Sequence, residues 1–398
     1  MAHHRRRHIE GIFKKILTHS PIVGLFGHRQ VGKTTFVTEV SQSYATLDRA
    51  SEVSLLKGNP ENYLLNRKPP FGIDEAQNEP SLFPALKEVV RTRPRPGQFI
   101  ITGSVRFSSR KQIRESLTGR IISWEMIPMD LGEIHSLGLS DRLFRISQSK
   151  SLETEYSARH DFKENHYQQY LKFGGLPGLF SVRNEVARIQ KMELQIETLL
   201  ERDLRMIVDT KLSYDTLRRL LTELANRQLE PFEIYPLARA VQISVPTLMG
   251  LMRAFEAMYF IRWVPSIGSS RKKSYIFEDQ GEATHLQTQP QRPVQDFVRF
   301  LYANLRSQWH YQNRFKVSVS QMRSRTGQWI PWVIQGFGGS EVALIPVLDQ
   351  TPGPGVLGAA GSFLRKFPNG KVLLVHSHVS EDRLIHKQIR FIPWQKLV

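Results

Sequence analysis

The stretch GHRQVGKT, Gly27 to Thr34, matches the pattern G-x-x-x-x-G-K-[ST] without a gap. It follows an apolar run, Ile22 to Phe26, that predicts a buried strand, and it leads into TTFVTEV, which predicts the first turns of a helix. In a strand–loop–helix unit of this kind, backbone N–H groups surround a phosphate, and the helix N-terminus adds partial positive charge. The stretch therefore predicts nucleotide binding; a glycine-rich turn that only caps a helix is the alternative.

The pattern also assigns roles within this loop. We expect Lys33 to reach the β- and γ-phosphates of ATP and the hydroxyl of Thr34 to ligate Mg²⁺. The other expected nucleotide-binding residues are Gly27, His28, Arg29, Gln30, Val31, Gly32 and Thr35. ATP with Mg²⁺, and ADP as the product, are the expected ligands.

Two adjacent carboxylates follow a short apolar segment further along the chain. Phe71 to Ile73 predicts a strand, and Asp74 and Glu75 stand at its C-terminal end, 41 residues after Lys33. That spacing leaves room for one intervening strand and helix. We expect Asp74 to hold Mg²⁺ through water and Glu75 to act as the general base on the attacking water.

Two further positions are candidates for sensing the γ-phosphate. The predicted strand Phe99 to Thr102 ends beside Ser104, so Thr102 or Ser104 is a candidate sensor, with ordinary turn chemistry as the alternative. Arg120 precedes the predicted strand Ile121 to Trp124. It is a candidate arginine finger, within its own subunit or toward a neighbour, with a structural ion pair as the alternative.

Composition limits the classes of protein that this chain can belong to. At 398 residues we expect two or three domains. The absence of cysteine excludes disulfides, thiolate metal sites and cysteine nucleophiles. The chain has no run of about 18 or more apolar residues, so we expect no membrane span. The N-terminus does not have the pattern of a secretory signal, so we expect a cytoplasmic protein.

The chain is strongly basic. Its formal net charge is +18 and its pI is about 10.1. Such an excess favours polyanionic partners, chiefly nucleic acid, although a proteome that is basic overall would give the same value.

Several segments resemble one protein family. GHRQVGKTT, YATLD, IDEAQ, FIITGS and ESLTGRI occur in order, and YLKFGGLPGLF, LLERDL and RFIPW come later in the chain. In these segments the chain resembles bacterial and archaeal AAA-type ATPases that join an ATPase core to a winged helix and a C-terminal domain of uncertain function. The resemblance spans nearly the whole chain.

This resemblance implies an α/β fold class and a domain order. The P-loop NTPase core, with an AAA-like parallel sheet, would occupy residues 10–140, and a helical lid over the nucleotide residues 141–210. A winged helix would occupy residues 211–282. A C-terminal domain at residues 283–398 would have a restriction-nuclease-like α/β fold.

The residues themselves also favour the winged helix. Helical segments are predicted at Pro231 to Ala240 and, after the capping residue Ser244, at Thr247 to Met258. Two predicted strands flank a basic turn with Arg271, Lys272 and Lys273, which could contact DNA phosphates. Because the second helix offers few polar groups, a winged helix that packs against protein is the alternative.

The C-terminal segment lacks the residues of a nuclease metal site. Nuclease activity in the resembled fold needs an E-x-K motif, and this chain has none. The strand Val342 to Val347, where the motif would fall, reads VALIPV, so we expect a degenerate nuclease-like domain. His376 and His378 have the H-x-H spacing of some metal sites, but no carboxylate or third histidine clearly joins them, so we do not expect a metal site there.

These expectations combine into two classes of function. The first is a nucleotide-driven regulator or remodeller, which could be oligomeric and would act on DNA. The alternative is a nucleotide-switched protein-interaction module without DNA contact. Salt-dependent binding to duplex DNA distinguishes the two classes, because each phosphate that a protein neutralises releases counterions.

Overall fold

The computed structural model describes residues 5–106, 117–268, 270, 272–290, 292–312, 316–324, 327–377 and 381–398. The strands in these residues are β1 (Ile22–Phe26), β2 (Ser43–Thr46), β3 (Phe71–Asp74), β4 (Phe99–Gly103), β5 (Ile121–Glu125), β6 (Ile261–Val264), β7 (Ser274–Phe277), β8 (Ser318–Arg323), β9 (Trp329–Gln335), β10 (Val342–Val347), β11 (Lys371–His376), β12 (Arg383–His386) and β13 (Ile389–Pro393).

The α-helices in the same residues are α1 (Ile9–Leu17), α2 (Lys33–Val40), α3 (Ala50–Gly58), α4 (Pro60–Leu65), α5 (Leu82–Thr92), α6 (Leu131–Ile134), α7 (Arg142–Gln148), α8 (Glu164–Phe173), α9 (Pro177–Phe180), α10 (Glu185–Thr198), α11 (Tyr214–Asn226), α12 (Ile234–Val241), α13 (Val245–Ala257), α14 (Gln280–Leu286), α15 (Pro293–Leu305), α16 (Ser307–His310) and α17 (Pro354–Lys366). A π-helical turn, Leu199–Asp203, extends α10. Among the described residues, none of these helices combines the length and apolarity that crossing a membrane requires.

The N-terminal sheet has five parallel strands in the order β2-β3-β4-β1-β5. Every residue of β1, β3 and β4 is buried, as the apolar sequences of these strands predict for a parallel sheet covered on both faces. Parallel strands end at the same edge. The loop after β1, the two carboxylates at the C-terminal end of β3 and the end of β4 therefore lie together at this edge. The expected α/β fold with a parallel sheet is confirmed.

The middle of the chain is helical and ends in a two-stranded hairpin. Apolar residues at helical spacing from Val186 to Val208 predict one long helix. In the structure, α10 ends at Thr198 and continues as the π-helical turn. Helices α12 and α13 and the antiparallel pair β6–β7 occur in the order that the sequence predicts. Ser244 caps α13 by accepting a hydrogen bond from Thr247 N at 3.2 Å.

The C-terminal sheet is mixed, with six strands in the order β12-β13-β11-β10-β9-β8. β8, β9 and β10 are antiparallel neighbours, whereas β10, β11 and β13 run parallel. Apolar residues make up β10, as its sequence predicts, and all but Pro346 are buried. His376 Nε2 lies 2.7 Å from the Glu381 carbonyl oxygen, and His378 lies outside the described residues.

Two large hydrophobic clusters join distant parts of the sequence. The first contains Val23 and Val37 together with Leu200, Leu221 and Phe255, so the N-terminal sheet packs against the helical middle segment. The second runs from Met129 to Val398 and combines the C-terminal sheet with residues of α7 and α8. The predicted lid segment therefore contributes side chains to both clusters.

Candidate nucleotide site

The loop between β1 and α2 adopts a conformation that requires glycine. Gly27 has φ of 152° and Gly32 has φ of 101°. A Cβ atom at Gly27 would lie 2.2 Å from the carbonyl oxygen of Met126, which comes directly after β5. Gly32 directly precedes α2, so the N-terminus of this helix faces the loop with unpaired backbone N–H groups. This geometry suits an anion.

Lys33 is buried inside this loop. Its Nζ donates hydrogen bonds to the carbonyl oxygens of Gly27, at 3.0 Å, and His28, at 2.9 Å. Burial lowers the pKa of Lys33 to about 8, while the carboxylates of Glu75 and Asp74 act in the opposite direction. The lysine and both expected carboxylates therefore share one site.

Asp74 is the centre of the polar contacts at the end of β3. Its Oδ2 accepts hydrogen bonds from Thr34 Oγ1 at 2.6 Å and from the hydroxyl of Tyr44 at 2.9 Å. Its Oδ1 accepts one from Thr102 Oγ1. The two residues expected to hold Mg²⁺, Thr34 and Asp74, are in direct contact. A hydroxyl and a carboxylate are oxygen ligands of the kind that Mg²⁺ takes.

Glu75 lies at the left-handed backbone position directly after β3. Its φ is 52°, a conformation uncommon for a residue other than glycine. Its backbone N donates to Thr102 Oγ1 at 3.2 Å, and its Oε2 accepts a hydrogen bond from Gln77 Nε2. Burial raises the pKa of Glu75, although Lys33 opposes this shift. The carboxylate is thus a better proton acceptor than an exposed one.

The remaining candidates are less closely connected to the loop. Thr102, not Ser104, enters the Asp74 network; Ser104 is half-buried one residue beyond the end of β4. Arg120 Nη1 lies 3.5 Å from the carbonyl oxygen of Thr118. The described residues show no contact between Arg120 and the loop at Gly27–Thr34.

Two arginines at the loop make contacts that the sequence did not indicate. Arg29 Nη1 lies 2.5 Å from Asp203 Oδ2 in the π-helical turn. Arg7 is buried and donates to the carbonyl oxygens of Val31 and Ile127, each at 2.6 Å. Both contacts join segments far apart in the sequence, so no local pattern could have predicted them.

His28 connects the loop to the helical middle segment. Its Nε2 lies 3.1 Å from Glu282 Oε2 on α14, and its ring stacks on Phe260 with the centroids 5.8 Å apart. Burial disfavours the charged imidazole, but the adjacent Glu282 carboxylate outweighs it and raises the pKa of His28 to about 9. Asp279, just before α14, accepts a hydrogen bond from Gly175 N at 2.7 Å.

A cleft of about 510 Å³ adjoins the loop on the α2 side. Phe36, Met129, Pro177 and Phe180 give it apolar walls, and Gly32 opens into it. Its volume lies within the usual range for small-molecule sites, so there is room for a nucleoside beside the phosphate loop.

Comparison with known proteins identifies two segments. Residues 19–135 match the family model of an AAA domain. Residues 164–280 match a domain of unknown function, DUF8612. Uncharacterized proteins of Mycobacterium tuberculosis and Mycobacterium bovis are each 28% identical over 276 residues, which is 68% of this chain and 56% of the relative. The chain thus matches only about half the length of these relatives.

Solved structures also match, with low TM-scores. AMPPCP-bound DnaA from Aquifex aeolicus is 13% identical with a TM-score of 0.27, covering 62% of this chain and 85% of that chain. A signal transduction ATPase with numerous domains from Pyrococcus horikoshii is 14% identical with a TM-score of 0.27, covering 73% of this chain and 44% of that chain. At these scores the superpositions carry no argument about function.

Proposed function

We propose that the protein binds Mg²⁺–ATP at Gly27–Thr34 and hydrolyses it, an activity that the match of residues 19–135 to the family model of an AAA domain supports. The observation that supports this best is the convergence of Lys33, Thr34, Asp74 and Glu75 at one edge of the parallel sheet. Phosphate would replace the two carbonyl oxygens that Lys33 now contacts. Thr34 and Asp74 would hold Mg²⁺, which neutralises charge on the phosphates when bound.

Glu75 would orient and deprotonate the attacking water. Its buried position and its raised pKa favour this role. Thr102 hydrogen-bonds both the Asp74 carboxylate and the Glu75 backbone N–H, so it would hold the two acids in a fixed relative position. Ser104 remains a candidate γ-phosphate sensor, and Arg120 a candidate arginine finger, within the subunit or toward a neighbour in an oligomer.

The output of the cycle would be a change in the helical middle segment. His28 lies within the phosphate loop and contacts both Glu282 of α14 and Phe260, the residue before β6. A shift of the loop on nucleotide binding would therefore alter the packing of α14 and of the start of β6. The protein would then act as a nucleotide-driven regulator.

The hydrolytic role is tested by replacing Glu75 with Gln, which keeps the shape and removes the base. We expect ATP hydrolysis by the E75Q variant to fall roughly 10²- to 10⁴-fold, with ATP affinity retained. Glu79→Gln is the matched control, since Glu79 contacts Ser81 and Lys57 rather than the loop. Turnover by E75Q at the wild-type rate would contradict the assignment.

Whether the regulated partner is DNA or protein is a separate question. The net charge of +18 favours DNA. In the hairpin, Lys272 pairs with Glu233 and the Lys273 ammonium lies 3.5 Å from the centroid of the Trp263 ring, while Arg271 lies outside the described residues. The Lys272–Glu233 pair is exposed and therefore easily exchanged for a phosphate contact.

The packing of α12 and α13 favours the alternative, a nucleotide-switched protein-interaction module. Leu248, Leu251 and Phe255 of α13 lie in the first hydrophobic cluster, so that face of the helix already packs against protein. Duplex DNA binding at about 50 mM salt, weakening steeply as salt rises, would support the DNA partner. Negligible binding under those conditions would leave the protein-interaction module.

A further inference from the structure

A second cleft, of about 620 Å³ and lined mainly by polar residues, lies where the end of α7 meets three turns of the C-terminal sheet. These turns connect β9 to β10, α17 to β11, and β12 to β13. Lysines enter the lining from three separate segments: Lys150, Lys371 and Lys387. Glu341 is the acidic residue of the lining.

Lys371 stands out because it is buried and its ammonium contacts only neutral oxygens among the described residues. It is the first residue of β11 and only 3% exposed. Its Nζ donates to the Ser149 carbonyl oxygen at 2.7 Å and to Ser340 Oγ at 3.3 Å, both neutral oxygens. Burial lowers the pKa of Lys371, and no carboxylate contributes to this shift. An ammonium carries three N–H groups, so one remains for a ligand beyond these two contacts.

Backbone hydrogen bonds hold the walls of this cleft in place. Ser340 N donates to the Ser147 carbonyl oxygen, and Lys371 N to that of Glu341, each at 2.8 Å. Gly339 allows the first of these segments to approach closely, because a Cβ atom there would lie 2.4 Å from the Ser147 oxygen. The backbone around Lys371 and the facing turn at Ser340 are therefore held in place.

We propose that this cleft binds a phosphate monoester, with Lys150, Lys371 and Lys387 contacting the phosphoryl oxygens. Three lysines and one glutamate leave a local charge of +2, which matches the roughly −1.5 to −2 charge of such a group near neutral pH. Lys150 and Lys387 are exposed, so the cleft opens to solvent and the ester substituent can extend outward. A phosphorylated small molecule and the 5′-phosphate of a nucleic acid carry the same group.

The test must keep the ligand out of the phosphate loop at Gly27–Thr34. Calorimetric titrations therefore use the full-length Lys33→Ala variant, and the wild type saturated with ADP and Mg²⁺. The probes are inorganic phosphate, glycerol 3-phosphate, and an oligonucleotide with and without a 5′-phosphate. Comparing the 5′-phosphorylated oligonucleotide with glycerol 3-phosphate distinguishes the two sources, because only a nucleic-acid site gains affinity from the nucleotides attached to the phosphate. The oligonucleotide without a 5′-phosphate shows how much of its binding depends on that group.

In either background we expect Lys371→Met to weaken phosphate binding roughly tenfold or more, and Lys387→Gln severalfold. Lys87→Gln removes the same charge from the exposed face of α5 and should leave binding unchanged. Since Lys371→Met also removes two internal hydrogen bonds, the exposed Lys387→Gln variant keeps the test informative if Lys371→Met fails to fold. No binding of either small probe at about 10 mM, or wild-type affinity in both cleft variants, would overturn the proposal.

Discussion

At the scale of single residues, the polar cluster of the candidate nucleotide site was largely predictable from sequence. Thr34 contacts Asp74, and Lys33 and Glu75 lie near this pair, because the loop after β1 and the end of β3 lie at one edge of the parallel sheet. The choice between Thr102 and Ser104 depends on where β4 ends: Thr102 lies within the strand, whereas Ser104 lies one residue beyond it. Thr102 contacts Asp74 because β4 pairs with β3, and this pairing could not be predicted from the local sequence.

The contacts of His28, Arg29 and Arg7 were not predictable. Each pairs with a group far away in the chain: Glu282, Asp203 and Glu133. A loop motif specifies the backbone of a phosphate site, whereas these partners come from the packing of the whole molecule around it.

His28 gives the stability of the protein a specific dependence on pH. Its folded-state pKa of about 9 lies above the ordinary value of 6.5. The stabilisation that protonated His28 gains from Glu282 is therefore complete below pH 6.5 and is lost as pH rises through 9. We expect the free energy of unfolding to fall over this window by at most roughly 3 kcal/mol. Denaturant unfolding of the wild type and of His28→Gln measures it.

The His28→Gln variant should lose most of that slope. The exposed His19→Gln serves as the control and should keep it. The difference between wild type and H28Q isolates this residue from His8, whose pairing with Asp130 also raises its pKa. Equal slopes in H28Q and wild type would show that the His28–Glu282 contact does not contribute.

At the scale of elements, the spacing of apolar residues predicted the type and order of helices and strands, but not local irregularities within them. The predicted β1 coincides with the observed strand, and α12, α13 and the β6–β7 hairpin lie within a few residues of their expected bounds. The π-helical turn at Leu199–Asp203 escaped prediction, because the apolar spacing there also suits a regular helix. Asp203, the last residue of this turn, pairs with Arg29 of the loop at Gly27–Thr34, so the irregular turn lies next to the candidate nucleotide site.

A buried ion network connects β5, the β6–β7 hairpin and the C-terminal helices. Arg306 lies 2.6 Å from Glu125 and also pairs with Glu278, while Arg262 bridges the same two carboxylates. Removing one member leaves uncompensated buried charge, so we expect Arg306→Met to lower the free energy of unfolding by about 3–5 kcal/mol. Chemical denaturation measures this change.

The control for Arg306→Met is Arg91→Met, which breaks the exposed pair with Glu88 on α5. We expect no measurable change there, because solvent already screens the charges. If both variants lose the same small amount, the network does not join these elements as described.

At the scale of the whole molecule, hydrophobic packing brings together segments that are far apart along the chain. Side chains from residues 9–37 share one cluster with side chains from residues 176–286, and the C-terminal sheet packs with α7 and α8. Sequence patterns indicate which faces are apolar but not which faces meet, so this arrangement was beyond prediction. The phosphate loop therefore sits inside the same packed unit as α14.

Because of this packing, we expect nucleotide binding at the loop to affect α14. We expect binding of Mg²⁺–ATP to change hydrogen–deuterium exchange in α14, Gln280–Leu286, through the His28–Glu282 contact. With saturating ATP, the His28→Gln variant should show the exchange change in the loop but not in α14. An unchanged α14 in the wild type, or the same response in both proteins, would rule out this route.

The most direct test of the account is an equilibrium titration of the full-length protein with ATP in the presence of Mg²⁺. We expect saturable binding to the wild type and to Lys87→Ala, an exposed lysine on α5, and no detectable binding to Lys33→Ala. ATP binding to Lys33→Ala with wild-type affinity would contradict the central claim that this loop holds the nucleotide.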